Sequence, residues 1–132
     1  MTLQEGFLGA FRAFVGNGLL IFRDVNSIDA HVDYAWDSLV HAAPDSVYVG
    51  VQNPIDGPVL VDLYEEGSPE LAIDGAVLFD GNISSLQGQF FLHDPLEEVK
   101  LQVTTDRPGQ ARLLISADED SAPAVLRFQI WY

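Results

Sequence analysis

The chain has 132 residues, 48% of them hydrophobic, and a net charge of −14 from six basic and twenty acidic side chains; it has no cysteine. That length suits one domain with a real core, the apolar fraction excludes intrinsic disorder, and the missing cysteine excludes disulfides and thiolate chemistry. The acidity argues against direct binding to nucleic acid or anionic membranes and favours encounter with a basic partner.

The first stretch, residues 1–22, is apolar in parts but carries Glu5 and Arg12. It lacks the positive start and unbroken apolar run of a signal peptide. No run approaches the roughly eighteen apolar residues that would cross a bilayer, so no membrane insertion is expected. A cysteine-free chain suits a reducing, cytoplasmic setting. Residues 3–14 have an ambiguous pattern that allows a short helix. Gly16-Asn17-Gly18 supplies left-handed conformers between two apolar stretches, a hairpin signal. Segment 19–23 is apolar enough for a strand. Trp36, Leu39 and Val40 then lie three and four apart, which predicts a short helical turn over Asp33–His41, ended by Pro44.

From there the period is two. Val47, Val49 and Val51 alternate with polar or small neighbours, as do Val59, Val61 and Leu63. Between them Asp56-Gly57 lies among prolines, a turn. Glu66–Gly75 reads as a loop, 76–79 as a strand, and Asp80-Gly81 as a turn or a bulge. Segment 86–92 is apolar, and His93–Glu97 is a loop. Glu98–Thr104 is the cleanest strand, with Val99, Leu101 and Val103 on one face. Pro108-Gly109 fits the centre of a type II turn. Ala111, Leu113, Ile115 and Ala117 form the next alternating set, Asp118–Pro123 a loop, and Leu126, Phe128 and Ile130 the last strand. Some eight or nine short strands, one face apolar and the other polar, predict a single all-β domain over 1–132. The expected form is a two-sheet antiparallel β-sandwich with one or two helical turns at most.

Catalytic motifs are missing. The chain has no G-x-S-x-G elbow, no phosphate-binding loop and no dinucleotide fingerprint, so it is expected not to be an enzyme. His31-x-Asp33 has the spacing of two metal ligands on one strand face, with His41 or His93 as a third. No second tight pair supports it, and loop or edge histidines are the simpler reading. Asp118-Glu119-Asp120 lacks the spacing and central glycine of a calcium loop. No metal or other cofactor is expected.

The acids are unevenly spread. Asp33 and Asp37 fall in the Trp-bearing segment, Glu65, Glu66 and Glu70 in one loop, Asp94, Glu97 and Glu98 in another, and Asp118, Glu119 and Asp120 in a third. If alternate loops share one end of a sandwich, these make an acidic rim; otherwise they are separate solvated loops. A 14-kDa fold exposes roughly 6,900 Å², or about one uncompensated negative charge per ~490 Å². Thirteen Asp against seven Glu, with Lys100 the one lysine, also fits a general bias toward acidity that serves solubility. Trp36 has helical spacing and apolar neighbours, which makes it a core residue. Trp131 falls on the face of the last strand opposite Leu126, Phe128 and Ile130, an exposed contact candidate.

The order of pieces is itself informative. LLIFRD (Leu19–Asp24) precedes DYAWDSLVHAAPDSVYVGVQ (Asp33–Gln52), PVLVDLYEE (Pro58–Glu66) and GQFFLHDP (Gly88–Pro95). VKLQVTTDRPGQARLLI (Val99–Ile115) and VLRFQIWY (Val125–Tyr132) follow. This order resembles the competence protein J family, whose named member inhibits a secreted or membrane-associated DNA-entry nuclease; residues 1–18 lie outside the likeness. The resemblance implies a β-sandwich that binds a nuclease and carries over no catalytic residues. The expected function is therefore an acidic inhibitor or immunity-type partner of a basic nuclease or toxin. The alternative is a carbohydrate- or calcium-binding sandwich.

Overall fold

The computed structural model describes residues 6–28, 39–105 and 107–132. Strands that are apolar at every second residue bury one face, and two such faces close on each other. Among the described residues ten strands result: β1 (Phe7–Ala13), β2 (Leu19–Asp24), β3 (Val40–Ala43), β4 (Ser46–Gly50), β5 (Val59–Tyr64), β6 (Ala76–Ser85), β7 (Gln89–His93), β8 (Lys100–Thr104), β9 (Gly109–Ala117) and β10 (Val125–Trp131). Sheet A has the order β1-β5-β10-β9-β6 and sheet B the order β3-β4-β2-β7-β8. The described residues contain no α-helix, only 3₁₀ turns at Gly16–Gly18, Pro54–Asp56 and Pro69–Leu71.

The alternating sets find each other as their periodicity demands. Val61 and Leu63 of β5, Leu113 and Ile115 of β9, and Leu126, Phe128 and Ile130 of β10 face Leu20, Phe22, Val49, Phe90 and Leu92 of sheet B. Phe22 stacks on Phe90, centroids 5.0 Å apart, and meets Phe128 of the other sheet at 5.5 Å. Three aromatic rings thus join the two layers at their centre.

Several expectations need correction. Residues 3–14 hold no helix in their described part: Phe7–Ala13 is an edge strand antiparallel to β5. Its one-sided, partial burial blurs the alternation. Of the turn expected over Asp33–His41, residues 33–38 lie outside the described residues; Val40 and His41 begin β3, a hairpin partner of β4 around Pro44-Asp45. Asp80-Gly81 is not a turn, because β6 runs straight through it, with a register shift against β9 between Val77 and Phe79. Residues 86–88 are the turn into β7, not part of it. Gly109 has the positive φ expected of it, +106°. Sheet A is mixed, since β10 runs parallel to β5. Alternation sets which face is buried and carries no information on strand direction.

Strand polarity sorts the loops into two ends. At one end lie Phe14–Gly18, Val51–Pro58, Asp94–Val99 and Asp118–Ala124, stitched by Val51 N–H to Gly18 O and by Gln52 N–H to Pro123 O, each 2.9 Å. The opposite end gathers Gly6, Asp45, Glu65, Gly88, Thr105 and Tyr132, with Glu65 N–H to Gly6 O at 2.7 Å and Thr105 N–H to Gly88 O at 2.8 Å. The connection from β5 to β6 crosses between these ends over the outer face of sheet A. Gln129 Nε2 donates to Glu66 O and Ser68 O, Arg127 Nη1 to Leu71 O, and Ile73 N–H to Ser116 Oγ. This crossing explains why Gln129, which points away from the core, is 0% exposed.

Candidate functional site: an apolar and acidic loop end

The end that carries Phe14 is built from tight turns. Phe14 leaves β1 63% exposed while the next residue, Val15, enters the core. The chain then turns through Asn17 and Gly18, both at φ +59°. Glycine suits the second of these because an added Cβ would meet Val51 O at 2.9 Å. On the neighbouring loop, Asn53 Oδ1 accepts the Ile55 N–H at 3.0 Å and Pro54 opens the 3₁₀ turn. This cap holds Ile55 outward at 92% exposure. The third loop is closed by Asp94: its carboxylate accepts Val99 N–H at 3.2 Å, and its carbonyl accepts Glu97 N–H at 3.0 Å. Leu96 stands at its tip, 74% exposed.

These loops are contiguous. The Gly16–Gly18 turn packs on the Pro54–Asp56 turn. A Cβ on Gly16 would lie 3.1 Å from Asp94 Oδ2. The 118–124 loop joins through Gln52 and Pro123.

Exposed acids stand on loops at the same end: Asp56 next to Ile55, Glu97 and Glu98 after Leu96, and Asp118, Glu119 and Asp120 on the neighbouring loop. Asp118 Oδ1 accepts the N–H groups of Glu119, Ala124 and Val125, and Glu119 Oε1 accepts Ser121 Oγ and Ala122 N–H. Both acids thereby shape their own loop while keeping their charge at the surface. Glu97 accepts Lys100 Nζ at 2.8 Å, with an Arg23 nitrogen 3.8 Å away. The hydrogen bond and charge of Lys100 hold its carboxyl below the usual glutamate range.

The structure divides the acids singled out in the sequence. Glu97, Glu98, Asp118, Glu119 and Asp120 share this end. Asp94 belongs to the same loop but is 1% exposed, so it braces the loop from inside and offers no surface contact. Asp33 and Asp37 lie outside the described residues. Glu65 and Glu66 line a groove at the opposite end with Gly67, Arg107, Trp131 and Tyr132. Glu70 lies on the crossing connection, where the Ser68 hydroxyl lowers its carboxyl. Trp131 is half-buried, its ring packed so close to Gly67 that a Cβ there would meet it at 2.7 Å. The Arg112 guanidinium lies 5.9 Å from the ring.

Sequence reasoning passed over Phe14, Ile55, Leu96 and Asp56. Their signal is an apolar residue among turn formers, as in Asn53-Pro54-Ile55-Asp56-Gly57 and Pro95-Leu96-Glu97, where no alternating neighbour buries it.

Of the histidines, His31 lies outside the described residues and His41 sits half-buried on β3. His93 is buried with Nε2 against Arg23 and Nδ1 against Asp94 O, which leaves no lone pair for a metal. Among the described residues, no three His, Asp or Glu side chains converge as a metal site.

No family model and no curated protein matches this sequence. Among solved structures, the fold is similar to the crystal structure of ComJ, inhibitor of the DNA degrading activity of NucA, from Bacillus subtilis. The likeness covers 98% of each chain with a TM-score of 0.67 at 7% identity. At that identity the likeness is one of fold, and it is the fold implied by the order of elements in the sequence.

Proposed function

We propose that this protein is a non-enzymatic acidic binding protein, an inhibitor or immunity-type partner of a basic nuclease or toxin. The observation that carries the reading is where the charge sits. Four of the six basic residues, Arg23, Lys100, Arg112 and Arg127, are engaged in ion pairs with acids. The carboxylates of Asp56, Glu98 and Asp120 stand exposed on loops at one end. Such a field accelerates encounter with a basic surface and repels polyanions. The likeness in fold to a nuclease inhibitor supports the same reading. Carbohydrate binding draws less support, because the Trp131 ring lies against Gly67.

The test is an inhibition assay. Added in stoichiometric excess to basic nucleases, including any encoded beside it, the protein should slow DNA cleavage, and more so at low salt, where exposed charges are least screened. Undiminished cleavage by all of them at low salt would remove the reading.

A further inference from the structure

We infer, resting on that reading, that the basic partner docks on the loop end through Phe14, Ile55 and Leu96, which insert into an apolar recess framed by its positive charges. Single exposed apolar side chains are ordinary on any protein. These three, at 63%, 92% and 74% exposure, stand on loops at one end: the Gly16–Gly18 turn packs on the Pro54–Asp56 turn, and Gly16 lies against Asp94 of the third loop. Each loop is held by its own hydrogen bonds: Gly18 N–H to Val15 O beside Phe14, the Asn53 cap under Ile55 and the Asp94 brace under Leu96. Binding therefore orders little that is not already ordered, which lowers the entropic cost of docking.

Charge selects the occupant. Asp56, Glu98, Asp118 and Asp120 are exposed at the same end as the apolar tips. A second copy of this chain would bring like charges face to face, and an anionic membrane would be repelled in the same way. A basic protein surface gains from both features: apolar contacts at the centre exclude water, and charge complementarity at the rim steers approach. The two sets of residues then have separable effects. Anchors at the centre govern dissociation, and rim charges govern association and its salt dependence.

The experiment measures binding kinetics of the full chain on immobilised basic nucleases and on NucA of Bacillus subtilis. Phe14→Ser, Ile55→Ser and Leu96→Ser should each raise the dissociation rate about tenfold with little change in association. Asp56→Asn with Glu98→Gln should slow association several-fold and flatten its salt dependence. Glu65→Gln with Glu66→Gln, at the opposite end, should change neither rate. Melting curves check that the variants fold, which their exposure favours. Tight binding by wild type that survives all three serine variants, or that is lost in the Glu65 and Glu66 variant, overturns the docking assignment and leaves the proposed function standing. Dimerisation in sedimentation equilibrium that Leu96→Ser abolishes also overturns it. Failure of wild type to bind any basic nuclease removes the function itself, and the assignment with it.

Discussion

Arg23 donates its Nε–H to Nε2 of His93 at 3.0 Å, while Nδ1 of the same ring lies 2.6 Å from the carbonyl oxygen of Asp94. A guanidinium has no lone pair to offer, so Nε2 is the acceptor and Nδ1 carries the hydrogen that reaches the carbonyl. The ring thus spans the space between β2 and the loop that holds Leu96. Long-range ¹⁵N spectra at pH 7.5 should show one buried histidine in the Nδ1–H form. Arg23→Met should release that tautomer and speed amide exchange over residues 94–99. An Nε2–H ring in the wild type would contradict the geometry.

Another polar contact, unlike that one, joins the two sheets. Ser85 Oγ on β6 donates to Asp24 Oδ1 on β2 at 2.5 Å, and Asn26 N–H reaches Oδ2 at 3.1 Å. Both side chains are buried. Ser85→Ala leaves a carboxylate oxygen in the interior without its donor, at a cost of about 1–3 kcal/mol. Urea unfolding should show a lower midpoint at unchanged slope. An unmoved midpoint would mean that water replaces the hydroxyl.

Arg127 and Asp62 join the parallel pair of strands through two bonds, Nε to Oδ1 at 2.8 Å and Nη2 to Oδ2 at 2.9 Å. The Asp62 hydrogen bond raises the guanidinium still further above neutrality. Lysine cannot make this fork or reach Leu71 O as well. Arg127→Lys should cost about 1–2 kcal/mol and increase amide exchange in the connection over residues 65–75. Faster exchange elsewhere, with that connection unchanged, would assign Arg127 a different role.

Gly67 leaves room for Trp131. A Cβ at position 67 would come within 2.7 Å of two ring atoms, closer than van der Waals contact permits. Gly67→Ala should displace either the ring or the connection, shift the Trp131 indole N–H resonance and lower stability by about 1–3 kcal/mol. An unmoved indole resonance would show that the connection alone yields.

Glu97 adds a pH dependence whose sign is set by Lys100. Its carboxyl is lowered in the folded chain, so its contribution is fully present above the ordinary glutamate range. It is lost as pH falls through the lower, folded value. In a carboxyl NMR titration, Lys100→Met should move Glu97 back up, and its small effect on melting at pH 7 should vanish in acid. A Glu97 titration indifferent to Lys100 would rule out the pairing.

The sandwich was legible because its strands bury one face each. Val59, Val61 and Leu63 alternate as plainly in the sequence as they do in the core. Edge strand β1 was not legible, because an element buried on one side and unpaired along one edge needs less strict alternation. The acids of the 94–98 and 118–120 loops could be named, but which loops share an end depends on strand direction, and β5 beside β10 breaks the antiparallel rule. Asp94 illustrates the limit most clearly. It resembles Glu97 and Glu98 in sequence, yet a bond to Val99 N–H turns it inward.

The parallel pairing of β5 and β10 bears on how the molecule is made. Strand β10 comes last of the ten in chain order but lies in the middle of sheet A, between β5 and β9. Until residue 131 has cleared the ribosome, the sheet waits in two halves, β1 with β5 and β9 with β6, and the floor beneath Phe22 is open. Closure is thus a late, long-range event. A proteolytic cut ahead of Val125 would unzip the protein from its middle, where most domains merely fray at a margin.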